Sequence, residues 1–113
     1  MNAQALFVEA VRAMPDLPEL LRAHAGDVTG LEECRFDYSY IEFLDTQIRL
    51  SPRGPAWTEQ LNRRRAALLP FCNVTLLRGI VTVGDSYFTV QIHVETKDVI
   101  HWEQEKYDPA AKP

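Results

Sequence analysis

The apolar positions in the first part of the chain recur with the spacing of amphipathic helices. In residues 3–14 the apolar side chains fall at i, i+3 and i+4, which predicts a helix that Pro15 ends. A second, shorter helix is predicted over 16–25, where Gly26 is placed to stop it. Residues 26–30 are then predicted to form a loop. The N-terminal part is therefore expected to be helical, without a strand.

The stretch RFDYSYIEFLD, residues 35–45, allows two interpretations. As a strand, residues 34–41 would place Phe36, Tyr38 and Tyr40 on one face of a sheet. As a helix it would bury an apolar stripe made of Ile41, Leu44 and Ile48. We favour a short extended lead-in to about Tyr38 and then a helix to about Leu50. In that case Tyr38, Glu42 and Asp45 turn away from the core.

The second half of the chain changes from a helical to an alternating pattern. Residues 55–69 predict the strongest helix, with Pro55 at the first helical position, where its missing N–H costs nothing. Three β-rich segments follow, at 74–83, 87–94 and 99–103. This order predicts an α+β fold. The N-terminal helices and the central helix would pack on a C-terminal antiparallel β-meander of about three strands.

Length and composition suit one cytoplasmic domain. The 113 residues predict a single domain over 1–113, with a frayed polar tail from about residue 105. The N-terminus lacks the features of a signal peptide, and no segment is apolar enough to cross a membrane. Cys34 and Cys72 lie in no metal-binding or redox motif and are predicted to be reduced thiols, with a disulfide between them as the alternative.

The charged residues fall into blocks of opposite sign. Residues 27–45 carry six acids against Arg35 alone, a net charge of −5. Residues 46–78 carry six arginines against Glu59, a net charge of +5. These blocks either neutralise each other between neighbouring elements or form a bipolar surface whose acidic side attracts a basic partner.

The acidic block contains the strongest candidate for a binding surface. Tyrosine is a favoured anchor in protein interfaces, and acids beside it would speed association with a basic partner. Alternatively, the tyrosines are half-buried and the acids only make the surface soluble. The candidate partner-binding residues are Asp37, Tyr38, Tyr40, Glu42 and Asp45.

A second candidate site depends on two histidines in the predicted meander. His93 and His101 could line a pocket between helices and sheet together with Glu103, provided that the strand register puts them on one face. No nucleophile motif, glycine-rich phosphate loop or zinc motif is present, so we predict no catalytic residues, metal or cofactor. The acidic chain lacks a basic stripe with interleaved aromatics, which argues against nucleic-acid binding.

Two long stretches carry a resemblance to a known class of proteins. With DYSYIEFLDTQIRLSPRGP followed by VGDSYFTVQIHVETKDVIHWEQ, the chain resembles small cytosolic immunity proteins of bacterial polymorphic-toxin systems. The likeness lies in size, acidity and the order of helices before a meander. It implies a non-enzymatic binding protein that occludes the active site of a cognate, basic toxin domain. A ligand-binding domain or small enzyme and a homodimer remain as alternatives.

Overall fold

The computed structural model describes residues 2–106, which belong to two compact units. The sheet unit comprises residues 2–34 and 76–106, and the hairpin unit comprises residues 35–75. The sheet unit contains helices and antiparallel strands, and the hairpin unit contains helices only. The predicted α+β class is therefore confirmed.

The sheet unit begins with three helical segments. These are α1 (Ala3–Arg12), α2 (Glu19–Ala23) and a 3-10 turn (Ala25–Asp27). The Asn2 side chain caps α1 by accepting a hydrogen bond from the Ala5 N–H at 2.7 Å. The first predicted helix is confirmed. The second is shorter than the predicted 16–25, since it starts only after Pro18.

Within the described residues four strands form one antiparallel sheet, one more than predicted. They are β1 (Val28–Cys34), β2 (Leu76–Val83), β3 (Ser86–His93) and β4 (Val99–Lys106), in the order β1-β2-β3-β4. The predicted loop over 26–30 was wrong, because β1 begins at Val28. This strand has few apolar residues, and its ladder with the distant β2 defines it. β4 includes Glu105 and Lys106, and the rest of the predicted tail, 107–113, lies outside the described residues.

One face of the sheet forms the core with α1. Phe7 and Val11 of α1 are fully buried, together with Val81 and Ile92 of the sheet. The backbone of β2 allows this close approach at Gly79, where an added Cβ would lie 2.2 Å from the Phe7 ring. A side chain at this position could not coexist with the present packing of Phe7.

The hairpin unit consists of two helices and a short turn. They are α3 (Tyr38–Leu50), α4 (Pro55–Leu68) and a 3-10 turn (Leu69–Phe71). The helical interpretation of 38–50 is confirmed, with Ile41 and Leu44 buried on α3. Asp37 caps the start of α3, and Ser51 ends it in the left-handed conformation with φ 46°. Pro55 opens α4 as predicted.

The helices of both units are short. In the part of the chain that the structure describes, no helix is long and apolar enough to cross a membrane.

Candidate docking surface

α3 presents three large side chains that are mainly exposed to solvent. Tyr38 is 62% exposed, Phe43 is 55% exposed and Leu50 is 63% exposed. The helix must bury Ile41 and Leu44, so the seven-residue spacing of Phe43 and Leu50 places both on a second line, away from the core. Exposed apolar residues clustered on one element are a signature of an interaction surface.

Three aromatic rings form a row along the start of α3. The Phe36 and Tyr40 rings stack with their centroids 4.7 Å apart, and the Tyr40 and Phe43 rings stack at 6.2 Å. Phe36 and Tyr40 are half-buried, whereas Phe43 projects further into solvent. The stacking restricts the orientation of Phe43, and a restricted aromatic side chain loses less entropy on binding a partner.

The three acidic side chains of the predicted partner-binding face make different contacts. Asp37 accepts a hydrogen bond from the Tyr40 N–H at 3.3 Å, and this bond caps the helix. Asp45 forms an ion pair with Arg65 of α4. Glu42 is exposed one turn after Tyr38. Of these three acids, Glu42 is the one whose carboxylate has no structural role within the described residues.

The five predicted partner-binding residues do not form a single line. Tyr38, Glu42 and Asp45 follow one another at helical spacing along one side of α3, while Tyr40 belongs to the aromatic row. Phe43 and Leu50 were missed as surface residues. The signal was present in the sequence, because one helix with two apolar stripes cannot bury both in a two-helix unit.

The charge blocks partly neutralise each other inside each unit. In the hairpin unit Asp45 of the acidic block pairs with Arg65 of the basic block. In the sheet unit the Glu32 carboxylate lies 3.2 Å from the Arg78 guanidinium. These pairs support the interpretation of local neutralisation for the four residues involved, and they leave Glu42 as an acid available to a partner.

The histidines of the second candidate site share one face of the sheet. The register pairs Gln91 of β3 with His101 of β4, and directly opposed residues of antiparallel strands point to the same face. His93 lies two residues after Gln91 and therefore has the same orientation. The face is the one opposite α1, so His93, His101 and Glu103 do not line a cleft between α1 and the sheet.

On this face of the sheet, opposite α1, two polar side chains lie within hydrogen-bond distance of each other. The His101 Nε2 and Glu103 Oε2 atoms are 2.8 Å apart, and both side chains are only 13% exposed. Gln91 is 7% exposed, and its Oε1 atom has no hydrogen-bond partner. The His93 Nδ1 atom accepts a hydrogen bond from the Thr96 N–H at 3.1 Å, which fixes the following turn. No group of three metal-ligating side chains occurs among residues 2–106.

Cys34 and Tyr87 have environments that favour their protonated forms. Burial raises the pKa of the Cys34 thiol. The positive charge of Arg78 acts against this rise, and the negative charge of Glu32 adds to it. A thiol with a raised pKa is a poor nucleophile, and both Cys34 and Cys72 are free. The hydrogen bond from the Tyr87 hydroxyl to Glu105 raises the pKa of Tyr87, and burial adds to the effect.

Comparison with known proteins gives no relative from which a role could be transferred. The chain matches no protein-family model, and neither a curated protein nor a solved structure shows significant similarity to it.

Proposed function

We propose that the protein is a protein-binding module that neutralises a cognate bacterial toxin by occluding the toxin's active site. The exposed side of α3 would be the docking surface. The observation that carries the proposal is the exposure of Tyr38, Phe43 and Leu50 by more than half on one short helix. Glu42 beside them would favour a basic partner and accelerate its association.

The proposed surface has the composition of a protein interface rather than of a catalytic site. Aromatic residues anchor interfaces when a partner removes them from water, and Tyr38 and Phe43 offer two such anchors. The stacked row from Phe36 to Phe43 holds part of the surface in one arrangement. We place Asp37 and Asp45 at the edge, since both carboxylates already have partners within the unit.

Co-purification from the native host tests the proposal. The tagged protein is expected to elute with one basic protein in stoichiometric amount, identified by mass spectrometry. Tyr38→Ala and Phe43→Ala should each reduce the recovery of this partner, and Glu42→Lys should slow association and weaken its dependence on salt. Glu59→Lys, a charge reversal at an exposed position of α4, is the matched control. Recovery without any partner would contradict the proposal.

A second candidate function is ligand binding on the polar face of the sheet. Gln91 supports it, because a buried amide oxygen without a hydrogen-bond partner is uncommon and lies beside the His101–Glu103 pair. NMR titration of the histidines, repeated with a library of small polar compounds, tests this candidate. A compound that shifts the His101 resonances in the wild type but not in Gln91→Leu would support it, whereas unchanged spectra throughout would exclude it.

A further inference from the structure

A line of alternating large and small residues runs along the exposed side of α3. Its members are Ser39, Phe43, Thr46 and Leu50. Their spacing of four, three and four residues is that of the seam of a coiled coil, which recurs on average every 3.5 residues. Phe43 and Leu50 are more than half exposed, and Ser39 is exposed as well. The line therefore has the spacing of a helix-pairing seam but lies at the surface of the hairpin unit.

This line is complementary to itself when two helices run antiparallel. In that arrangement Phe43 lies level with Thr46 of a second copy, and Leu50 lies level with Ser39 of that copy. Each layer then pairs one large side chain with one small side chain, so that the two helices can interdigitate. A parallel arrangement would place Phe43 against Phe43 and Leu50 against Leu50.

The charges beside the line have the same self-complementarity. Glu42 and Arg49 are both exposed and lie seven residues apart, on the same flank of α3. In an antiparallel pair Glu42 comes beside Arg49 of the second copy, and Arg49 comes beside Glu42. Within the described residues neither side chain forms an ion pair in the chain itself. Flanking charges of this kind set partner choice and orientation in helix pairs.

We propose that a second copy of this chain docks on α3, with the two α3 helices antiparallel and the four residues of the line at their interface. Two Glu42–Arg49 ion pairs flank the contact. α3 has 13 residues, so the contact is only about 20 Å long. A contact of this size gives a weak dimer that forms as the protein concentration rises.

The dimer uses part of the surface that we propose for the toxin. Glu42 and Phe43 are buried in both contacts, so a toxin and a second copy would exclude each other. The dimer itself does not depend on the proposed function. A protein that stays monomeric would contradict the proposed dimer and leave the proposed toxin contact untouched. A protein that dimerises but captures no toxin would support the dimer and contradict the toxin contact.

Sedimentation equilibrium of the full chain, from micromolar to millimolar concentration, tests the dimer. The mass is expected to rise from 12.9 kDa towards twice that value. Glu42→Arg and Arg49→Glu should each weaken the dimer about tenfold or more, because each variant replaces two attractive pairs by two repulsive ones. Glu59→Arg on α4 is the control and should behave as the wild type. Circular dichroism checks that each variant remains folded.

Mixing the two charge variants distinguishes the antiparallel pair from other dimers. In an equimolar mixture, the arginine introduced by Glu42→Arg lies beside the glutamate introduced by Arg49→Glu. The second pair of the mixed dimer consists of the native Arg49 of the first variant and the native Glu42 of the second. The mixture should therefore dimerise at concentrations at which each variant alone is monomeric. A monomeric wild type at millimolar concentration would overturn the proposal. So would a dimer that both variants retain, or a mixture that does not restore dimerisation.

Discussion

The sheet unit and the hairpin unit use their aromatic side chains in different ways. In the sheet unit Phe7 and Phe88 are at most 1% exposed and belong to the core. In the hairpin unit Tyr38 and Phe43 are more than half exposed. A two-helix unit has little interior, so exposed rings there do not contribute to a core. We infer that Phe7 and Phe88 contribute to stability, whereas the exposed rings of the hairpin unit are available to the proposed docking surface.

Trp57 of the hairpin unit is half-buried, and two arginine side chains lie over its ring. The Arg53 guanidinium carbon lies 4.4 Å from the centroid of the Trp57 ring, and that of Arg64 lies at 5.6 Å. A cation that lies over an aromatic ring is attracted to its face, so these contacts hold the Trp57 side chain in place while part of it stays exposed. In the hairpin unit, stacking and cation–π contacts thus hold Phe36, Tyr40, Phe43 and Trp57. Phe7 and Phe88 of the sheet unit are packed in its core instead.

The largest effect is expected from a matched pair of phenylalanine substitutions. Phe7→Ala removes a fully buried ring and should lower the free energy of unfolding by about 3–5 kcal/mol. Phe43→Ala removes an exposed ring and should change it by less than about 0.5 kcal/mol. Denaturant unfolding at low protein concentration measures both. Equal losses would contradict this difference between Phe7 and Phe43.

The next effect concerns the contact between α1 and the sheet. Gly79→Ala places a methyl group against the buried Phe7 ring and should cost about 1–3 kcal/mol, because the ring must leave its position. Gly30→Ala in β1 is the matched control. Its added Cβ would lie 3.4 Å from Ile80, an ordinary contact, so stability should stay near that of the wild type. A tolerated Gly79→Ala would show that Phe7 is not tightly held.

A smaller effect is expected at the start of α3. Asp37→Ala removes the side-chain cap and should destabilise the hairpin unit by about 1 kcal/mol. Asp37→Asn keeps a capping oxygen and should restore most of the loss. Hydrogen exchange of the α3 amides reports the change locally. If Asn does not restore protection, the carboxylate of Asp37 acts through its charge rather than as a cap.

The sequence predicted the regular elements whose patterns are local. The stripe of Ile41, Leu44 and Ile48 indicated α3, Pro55 indicated the start of α4, and alternation indicated β3. β1 was missed because its sequence, VTGLEEC, alternates weakly. Its partner β2 follows only after the whole hairpin unit, so the pairing is a property of the tertiary structure.

The candidate sites were predictable in composition but not in geometry. The stretch around Tyr38 and Glu42 was identified, whereas Phe43 and Leu50 were missed because only one apolar stripe of α3 was considered. The orientation of His101 could not be derived by counting from the turn. A bulge at Ile100 adds one residue to β4 and moves His101 to the face of His93.

The smallest effect concerns Tyr87 on the polar face of the sheet unit. The hydrogen bond to Glu105 raises the pKa of the Tyr87 phenol in the folded state, with a further contribution from burial, above its unfolded value of about 10. The folded state therefore holds this proton more tightly. The resulting stability is complete below pH 10 and is lost as the pH rises through the raised pKa.

Removal of either partner of this hydrogen bond should flatten the alkaline part of the stability curve. Tyr87→Phe and Glu105→Gln are expected to lose less stability than the wild type when the pH rises above 10, since neither retains the phenol–carboxylate pair. Denaturant unfolding between pH 7 and pH 11 measures this dependence. A wild-type curve that both variants reproduce would show that the bond is not maintained in solution. The hydrogen bond between Tyr87 and Glu105 would then contribute as little to stability as the exposed side of α3.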